Sequence, residues 1–157
     1  MPMSQDFKNR LNPILPEIAA HFGTPFHIYD ELGIRETGQT LKTAFQHVKG
    51  FGEYFAVKAL PNPYVLSIIR DMGFGFDCSS VAELVLSRQV GAHGDEIMFT
   101  SNNTSVAEFE AAFADGGCII NLDDISLLSK LPQIPERICF RYNPGERRTG
   151  NAIIGKP

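Results

Sequence analysis

Several things are missing from this 157-residue chain, and each absence narrows what it can be. It has no run of Lys and Arg. Its net charge is −4, and "GERRTG" holds the only adjacent basic pair. Nucleic acid and anionic membrane both call for clustered positive charge, so neither is expected as a partner. No apolar run approaches the ~20 residues a transmembrane helix needs. The N-terminus carries Asp6 and Glu17 and no long apolar core, which does not read as a secretion signal. The three cysteines, Cys78, Cys118 and Cys139, form no CxxC, and their wide spacing argues against a metal site. Each sits in a strand-like run, the pattern of reduced, buried thiols in a cytoplasmic protein. The four histidines, His21, His27, His47 and His93, lack metal spacing and read as structural or exposed. No GxGxxG or GxxxxGK loop follows a strand. "GFGFD" has the wrong spacing and precedes its strand, which counts against nucleotide binding. There is no GxSxG elbow.

What remains is an ordinary globular composition, 43% hydrophobic and 20% charged, in a length that suits one domain with a real core. Five strand-like runs follow one another in steps of about 20 residues. They are "EYFAVK" at 53–58, "GFGFDC" at 73–78, "EIMFT" at 96–100, "GCIINL" at 117–122 and "RICFRYN" at 137–143. They are largely apolar, as strands buried on both faces tend to be. Helical patterns fill the gaps. "NPYVLSIIRDMG" aligns Val65, Ile68, Ile69 and Met72 on one face, with proline at its start and Gly73 at its end. Ser80 with Glu83, and Ser105 with Glu108, have capping-box spacing. "DDISLLSKL" reads as a helix capped by Asp124, with Leu127, Leu128 and Leu131 inward. Alternation of this kind, with right-handed crossovers, implies an α/β fold with a parallel sheet. A doubly wound sheet and a (β/α)8 barrel both fit. Before the repeat, "NPILPEIAAHFG" reads as a short helix, "TPFHIYD" as an isolated strand over 25–29, and "ELGIRETGQTLKTAFQHV" as a helix.

Parallel α/β folds place their active sites at the C-terminal ends of the strands. Those ends carry Lys58; Asp77 with Ser79 and Ser80; Ser101, Asn102 and Asn103; Asn121 with Asp123; and Arg141 with Asn143. Lys58 closes an apolar run, where a charged amine is costly unless it is paired, neutralised or chemically used. Asp77 on the next strand can hold Lys58 as a cation or shuttle its proton. Plainer readings stand beside these. Ser79/Ser80, Thr104/Ser105 and Asp123/Asp124 lie where helix caps belong. Asn102 and Asn103 suit turns. Arg141 can be a structural ion pair with Asp77 or Asp123, and Lys58 a strand-end lysine reaching for water.

The block "YFAVKALPNPYVLSIIRDMGFGFDCSSVAELVLSRQVG" resembles the signature of the fold-type III pyridoxal-phosphate decarboxylases. That family includes diaminopimelate, ornithine, arginine and carboxynorspermidine decarboxylases. Its pattern is Y-A-V-K-A-N, then G-x-G-x-D-x-x-S-x-x-E-L, then a glycine. Tyr54, Ala56, Val57, Lys58, Ala59, Gly73, Gly75, Asp77, Ser80, Glu83, Leu84 and Gly91 match it. "EIMFTSNNTS", "INLDDISLLSKL" and "ICFRYNPG" are similar to later family segments, and "GTPFHIYD" to the opening strand.

The resemblance implies a (β/α)8 barrel, here a partial barrel of about five βα units over 34–157. An N-terminal helix-strand extension over 1–33 precedes it, and its strand 26–29 joins a β-rich domain in the family. Lys58 matches the lysine that binds pyridoxal phosphate covalently. Asp77 matches an acidic residue near it, Glu83 one that shapes the site, and Arg141 an arginine near the cofactor. Ala56 falls among the cofactor-binding positions. Family chains are more than twice as long, so the resemblance implies an N-terminal piece, inactive alone. The cofactor-stacking histidine, the phosphate loop and the second domain would lie after Pro157. Leu60 stands where the family has asparagine, and "ALPNP" marks a sub-branch. The implied activity is decarboxylation of a basic or diamino acid, foremost meso-diaminopimelate in lysine biosynthesis. Alternatives are carboxynorspermidine, ornithine or arginine in polyamine biosynthesis, or a non-catalytic regulatory homologue. The implied partners are a small amino-acid substrate and a second copy of the chain, in a cytoplasmic homodimer.

Overall fold

Five short strands alternate with helical segments after residue 52, as the spacing of the apolar runs predicts. The structure, a computed structural model, describes residues 3–142. The chain divides into two compact units, and the second begins at Gly52.

In the first unit, α1 (Gln5–Leu11) starts at Ser4, whose Oγ accepts the Phe7 N–H at 3.2 Å. Its short, mostly polar sequence gave no periodic signal. α2 (Leu15–Phe22) has Pro16 in its first turn, where a missing N–H leaves no bond unmade. α3 (Glu31–Phe45) follows Asp30, whose carboxylate accepts from Arg10 Nη2 at 2.5 and 2.6 Å. The strand expected over 25–29 is unpaired. Residues 26–30 carry no regular secondary structure, and a strand needs a ladder partner, which none of the described strands supplies.

The second unit holds β1 (Tyr54–Ala56), α4 (Pro63–Asp71), β2 (Gly75–Cys78) and α5 (Val81–Gln89). β3 (Gly94–Ser101), α6 (Val106–Phe113), β4 (Cys118–Leu122) and β5 (Ile138–Phe140) complete it. All four strand pairs are parallel, and the order is β1-β2-β3-β4-β5. That order separates the two candidate folds. A doubly wound sheet reverses its strand order to place helices on both faces. A sequential order with crossovers of one hand keeps every helix on the same face. The sheet is therefore an arc of the (β/α)8 type.

Register and burial locate the core. Phe76 lies opposite Ile97, Cys78 opposite Phe99, and Phe99 opposite Ile120. All five, with Leu122, are at most 1% exposed. Val65, Leu66, Ile68 and Ile69 of α4, Leu84 of α5, and Phe109 and Ala112 of α6 are the helices' buried apolar residues. Met72, aligned with that stripe in the sequence, is half-buried, as is Phe113 at the end of α6. The other face is less covered. It carries Ala56, Asp77, Met98 and Ile119 in one row, with Thr100 and Asn121 in the next.

Prolines explain where β1 stops. The apolar run continues to Lys58, but the strand ends at Ala56 and Val57–Ala59 form a 3-10 turn. Leu60 and Asn62 each precede a proline, which disfavours helical backbone, and both are non-helical. Asn62 then caps α4, its Oδ1 accepting from the N–H groups of Tyr64 and Val65. The same rule trims the helix expected after β4. Leu131 precedes Pro132 and is extended, so only a 3-10 segment, Ile125–Lys130, forms behind the Asp124 cap. Leu127 is buried there, while Leu128 and Leu131 are half-buried.

The two glycines of "GFGF" do different work. Gly73 has φ +78° and ends α4, as a left-handed residue should. Gly75 makes room, because a Cβ there would lie 2.7 Å from both the Glu96 carbonyl oxygen and the Tyr54 ring. The Tyr54 hydroxyl, beyond that contact, donates to the Asp95 carbonyl at 2.7 Å.

The cysteines are free, as expected, but only Cys78 is fully buried. Its Sγ meets Ser87 Oγ of α5 at 3.2 Å. Burial pushes the Cys78 thiol up to about 12 and the Cys118 thiol up to about 11. Thiolate is the reactive form, and a raised pKa withholds it until high pH. Iodoacetamide at pH 8 should therefore spare Cys78 and Cys118 in the folded protein and alkylate both after unfolding. Mass mapping that finds Cys78 modified without unfolding would refute this packing.

Candidate active site

Local rules place Lys58 at the C-terminal end of β1, one residue into the turn that the prolines impose. Val57 before it is completely buried, and Lys58 turns the other way and is exposed. The expectation of a lysine inside a buried strand is thus corrected. The amine extends from the rim of the sheet, and its desolvation cost is avoided.

Lys58 Nζ lies 3.5 Å from Ser79 Oγ, just past the end of β2. Asp77 is opposite Ala56 in the register, on the less covered face. Among the described residues Lys58 and Asp77 form no ion pair. Instead, Asp77 Oδ1 is buried with no hydrogen-bond partner. A buried acceptor left unmade costs about 1–3 kcal/mol, so this atom stands out as one awaiting a donor.

Glu83 lies in the first turn of α5 and works locally. Its Oε2 accepts the Ser79 N–H at 3.1 Å, and its Oε1 accepts the Ser80 hydroxyl at 2.9 Å. Ser80 Oγ accepts the Glu83 N–H at 3.4 Å. This departs from the capping box expected there. The carboxylate reaches the N–H one residue before the cap. The full box forms at Ser105 and Glu108, and bonds from Ser105 pull the Glu108 carboxyl below its usual range.

A second group gathers at the ends of β3, β4 and β5. Arg141 Nη1 pairs with Asp123 Oδ1 at 2.8 Å and reaches Asn102 Oδ1 at 3.4 Å. Of the two acidic partners open to Arg141, the structure selects Asp123. Asn121 Nδ2 donates to Thr100 Oγ1 at 3.2 Å on the open face. Asn103 is exposed, and Asn143 lies outside the described residues.

The polar residues read from the sequence thus form two clusters on one rim, Lys58–Ser79–Glu83 beside Asp77 and Arg141–Asp123–Asn102. No local pattern marks Ser79 as the residue to meet Lys58, since capping accounts for a serine there. Only the β1–β2 register reveals the contact. A hollow of about 390 Å³ lies at the other end, between Asp95, Cys118 and Arg137 at the strand starts. In parallel α/β folds that end serves stability, not chemistry. Among the described residues no cluster of His, Cys, Asp and Glu could hold a metal ion. No helix there is long and apolar enough to cross a membrane.

The sequence profile of the family described as "Pyridoxal-dependent decarboxylase, pyridoxal binding domain" matches residues 33–154. Protein TabA of Pseudomonas amygdali pv. tabaci is 45% identical over 144 residues, covering 92% of this chain and 34% of its own. The diaminopimelate decarboxylase of Methanothermobacter thermautotrophicus is 38% identical over 132 residues, covering 82% of this chain and 31% of its own. A crystal structure of diaminopimelate decarboxylase from Helicobacter pylori, complexed with L-lysine, superposes with a TM-score of 0.66 at 27% identity. It covers 74% of this chain and 29% of its own. The chain spans about a third of the length of the curated relatives it matches. With more than half of its residues, 33–154, inside the matched profile, the chain belongs to the family of pyridoxal-dependent decarboxylases, through their pyridoxal-binding domain.

Proposed function

We propose that this chain supplies the lysine-bearing part of a decarboxylase for a basic or diamino acid, foremost meso-diaminopimelate. One observation carries the reading. An accessible primary amine, Lys58, and an unpartnered buried carboxylate oxygen, Asp77 Oδ1, stand at the ends of neighbouring strands. No carboxylate among the described residues ties up the amine, which leaves it accessible for covalent bonding, and an acceptor with no donor is open to a hydrogen bond.

The residues fit pyridoxal phosphate. Lys58 would hold it covalently, and Asp77 would steady the Lys58 cation or accept its proton. Ala56, opposite Asp77, leaves that row open with its small side chain. Glu83 fixes the turn that faces Lys58, and Arg141 brings a guanidinium to the same rim. When bound, the cofactor draws off the electron pair left as CO2 departs. The free thiols support a reducing, cytoplasmic setting. The partners this reading carries are an amino-acid substrate and a second copy of the chain.

The preference for diaminopimelate is supported by the relatives that bear that name. It is tested by CO2 release from the protein as it occurs in its cells. With pyridoxal phosphate present, meso-diaminopimelate should turn over faster than ornithine, arginine, lysine or carboxynorspermidine. Faster release from ornithine or carboxynorspermidine would move the assignment to the polyamine branch. No release from any of them would favour a non-catalytic homologue. The 157-residue chain alone, with Lys58 open to water, should release no CO2 above a Lys58→Ala control.

A further inference from the structure

We propose that Ser79 is a positioning residue for Lys58, its hydroxyl holding the amine in place at the rim; this rests on the reading of Lys58 given above. The family pattern D-x-x-S-x-x-E-L leaves position 79 unspecified, so no motif assigns it a role.

The usual explanation for a serine here is helix capping, and the structure removes it. Ser80, not Ser79, accepts the Glu83 N–H and caps α5. Ser79 takes part only through its backbone N–H, which donates to Glu83 Oε2. That bond fixes the Ser79 backbone against the first turn of α5. Its hydroxyl is left over, and among the described residues the group it meets is Lys58 Nζ at 3.5 Å.

A hydroxyl suits this place better than a carboxylate. An acid beside an amine favours the ammonium form, which has no lone pair to attack with. A hydroxyl accepts from the ammonium and donates to the neutral amine, so it restrains both forms. Lys58 needs some restraint, because it is exposed and its four-carbon stem is free to wander. Asp77 does not supply it, since the two form no ion pair among the described residues. The arrangement is a relay of position, in which Glu83 holds the Ser79 backbone and the Ser79 hydroxyl holds the Lys58 amine.

The test follows the rate of capture. Pyridoxal phosphate is added to the 157-residue chain, samples are quenched with borohydride at intervals, and peptide mapping counts the label at Lys58. Lys130, whose Nζ donates to the Thr104 carbonyl at 3.0 Å, serves as the internal control. Ser79→Ala should slow labelling of Lys58 about three- to tenfold, with Lys130 and the melting temperature unchanged. Ser79→Cys, close in shape but a weak hydrogen-bonding group, should slow it likewise and carries the test if the alanine variant does not fold. Ser79→Thr should label at the parent rate. Alanine and cysteine variants that label as fast as the parent would overturn the proposal. So would a threonine variant as slow as alanine, because shape and not the hydroxyl would then matter. If Lys58 takes no label in the parent, the proposed function itself fails, and this inference with it.

Discussion

Lys58→Ala should abolish covalent capture of pyridoxal phosphate while leaving the fold intact. Borohydride reduction of the parent should place a pyridoxyl group on Lys58 in preference to the other lysines. The variant should carry only the slow background found on any surface amine. Turnover by the protein as it occurs in its cells, carrying the same substitution, should fall to the enzyme-free background. Stability should barely move, for a local reason. Lys58 is exposed, lies in a 3-10 turn and makes one long contact to Ser79. Replacing such a side chain stays within about 0.5 kcal/mol, or about 2 °C in melting temperature. A large effect on chemistry with almost none on stability is what sets a working lysine apart from a structural one. Undiminished labelling in the variant would transfer the role to another lysine. A large drop in melting temperature would mean that the amine is buried after all.

Phe76→Ala should have the opposite profile. Phe76 is completely buried on the helix side of β2, between Phe55 and Ile97 in the register. Truncating such a ring removes its transfer free energy and leaves a cavity that the sheet cannot close. The expected loss is about 3–5 kcal/mol. Domains are stable by about 5–15 kcal/mol, so this is a large share of the total. Urea unfolding should show the midpoint fall steeply. Val85→Ala, on the exposed side of α5, should shift it by about 0.5 kcal/mol or less. Equal shifts for the two would mean that the sheet's helix-facing side is not the core.

The parts of this architecture that the sequence foretold are those set by neighbours in the chain. The strands show as apolar runs because their helix-facing side is buried almost completely. The helices show through caps such as Ser80 and Ser105, and through the stripe Val65–Ile68–Ile69. What stayed hidden depends on partners far along the chain. Asp123 was chosen by Arg141 because the ends of β4 and β5 lie side by side, which no local pattern reports. Ser79 met Lys58 through the register that sets Ala56 against Asp77. Gly75 sat in a strand-like run with no local reason for a glycine, and the structure shows it as space left for the Tyr54 ring. The boundaries missed at Lys58 and at Leu131 share one cause. In both, a proline just ahead outweighed the apolar pattern behind it.

The sequential strand order has a consequence for the time course of folding. Tyr54 pairs with Gly75, Phe76 with Ile97, and Met98 with Ile119, so each partner arrives 21 positions after the last. The final ladder, Ile120 with Ile138, closes over 18. No ladder in the sheet has to wait for a distant segment to be found, and each closure spans a single helical segment. Chain entropy opposes loop closure only logarithmically with length, so the successive steps meet nearly equal resistance. Contacts this local belong to the fast-forming end of parallel architectures. On a ribosome, where the chain emerges from its N-terminus, each βα unit finds its docking edge already made by the one before it. Lys58 and Ser79 are then brought within reach of each other as soon as the second strand is laid down, long before Arg141 has been synthesised.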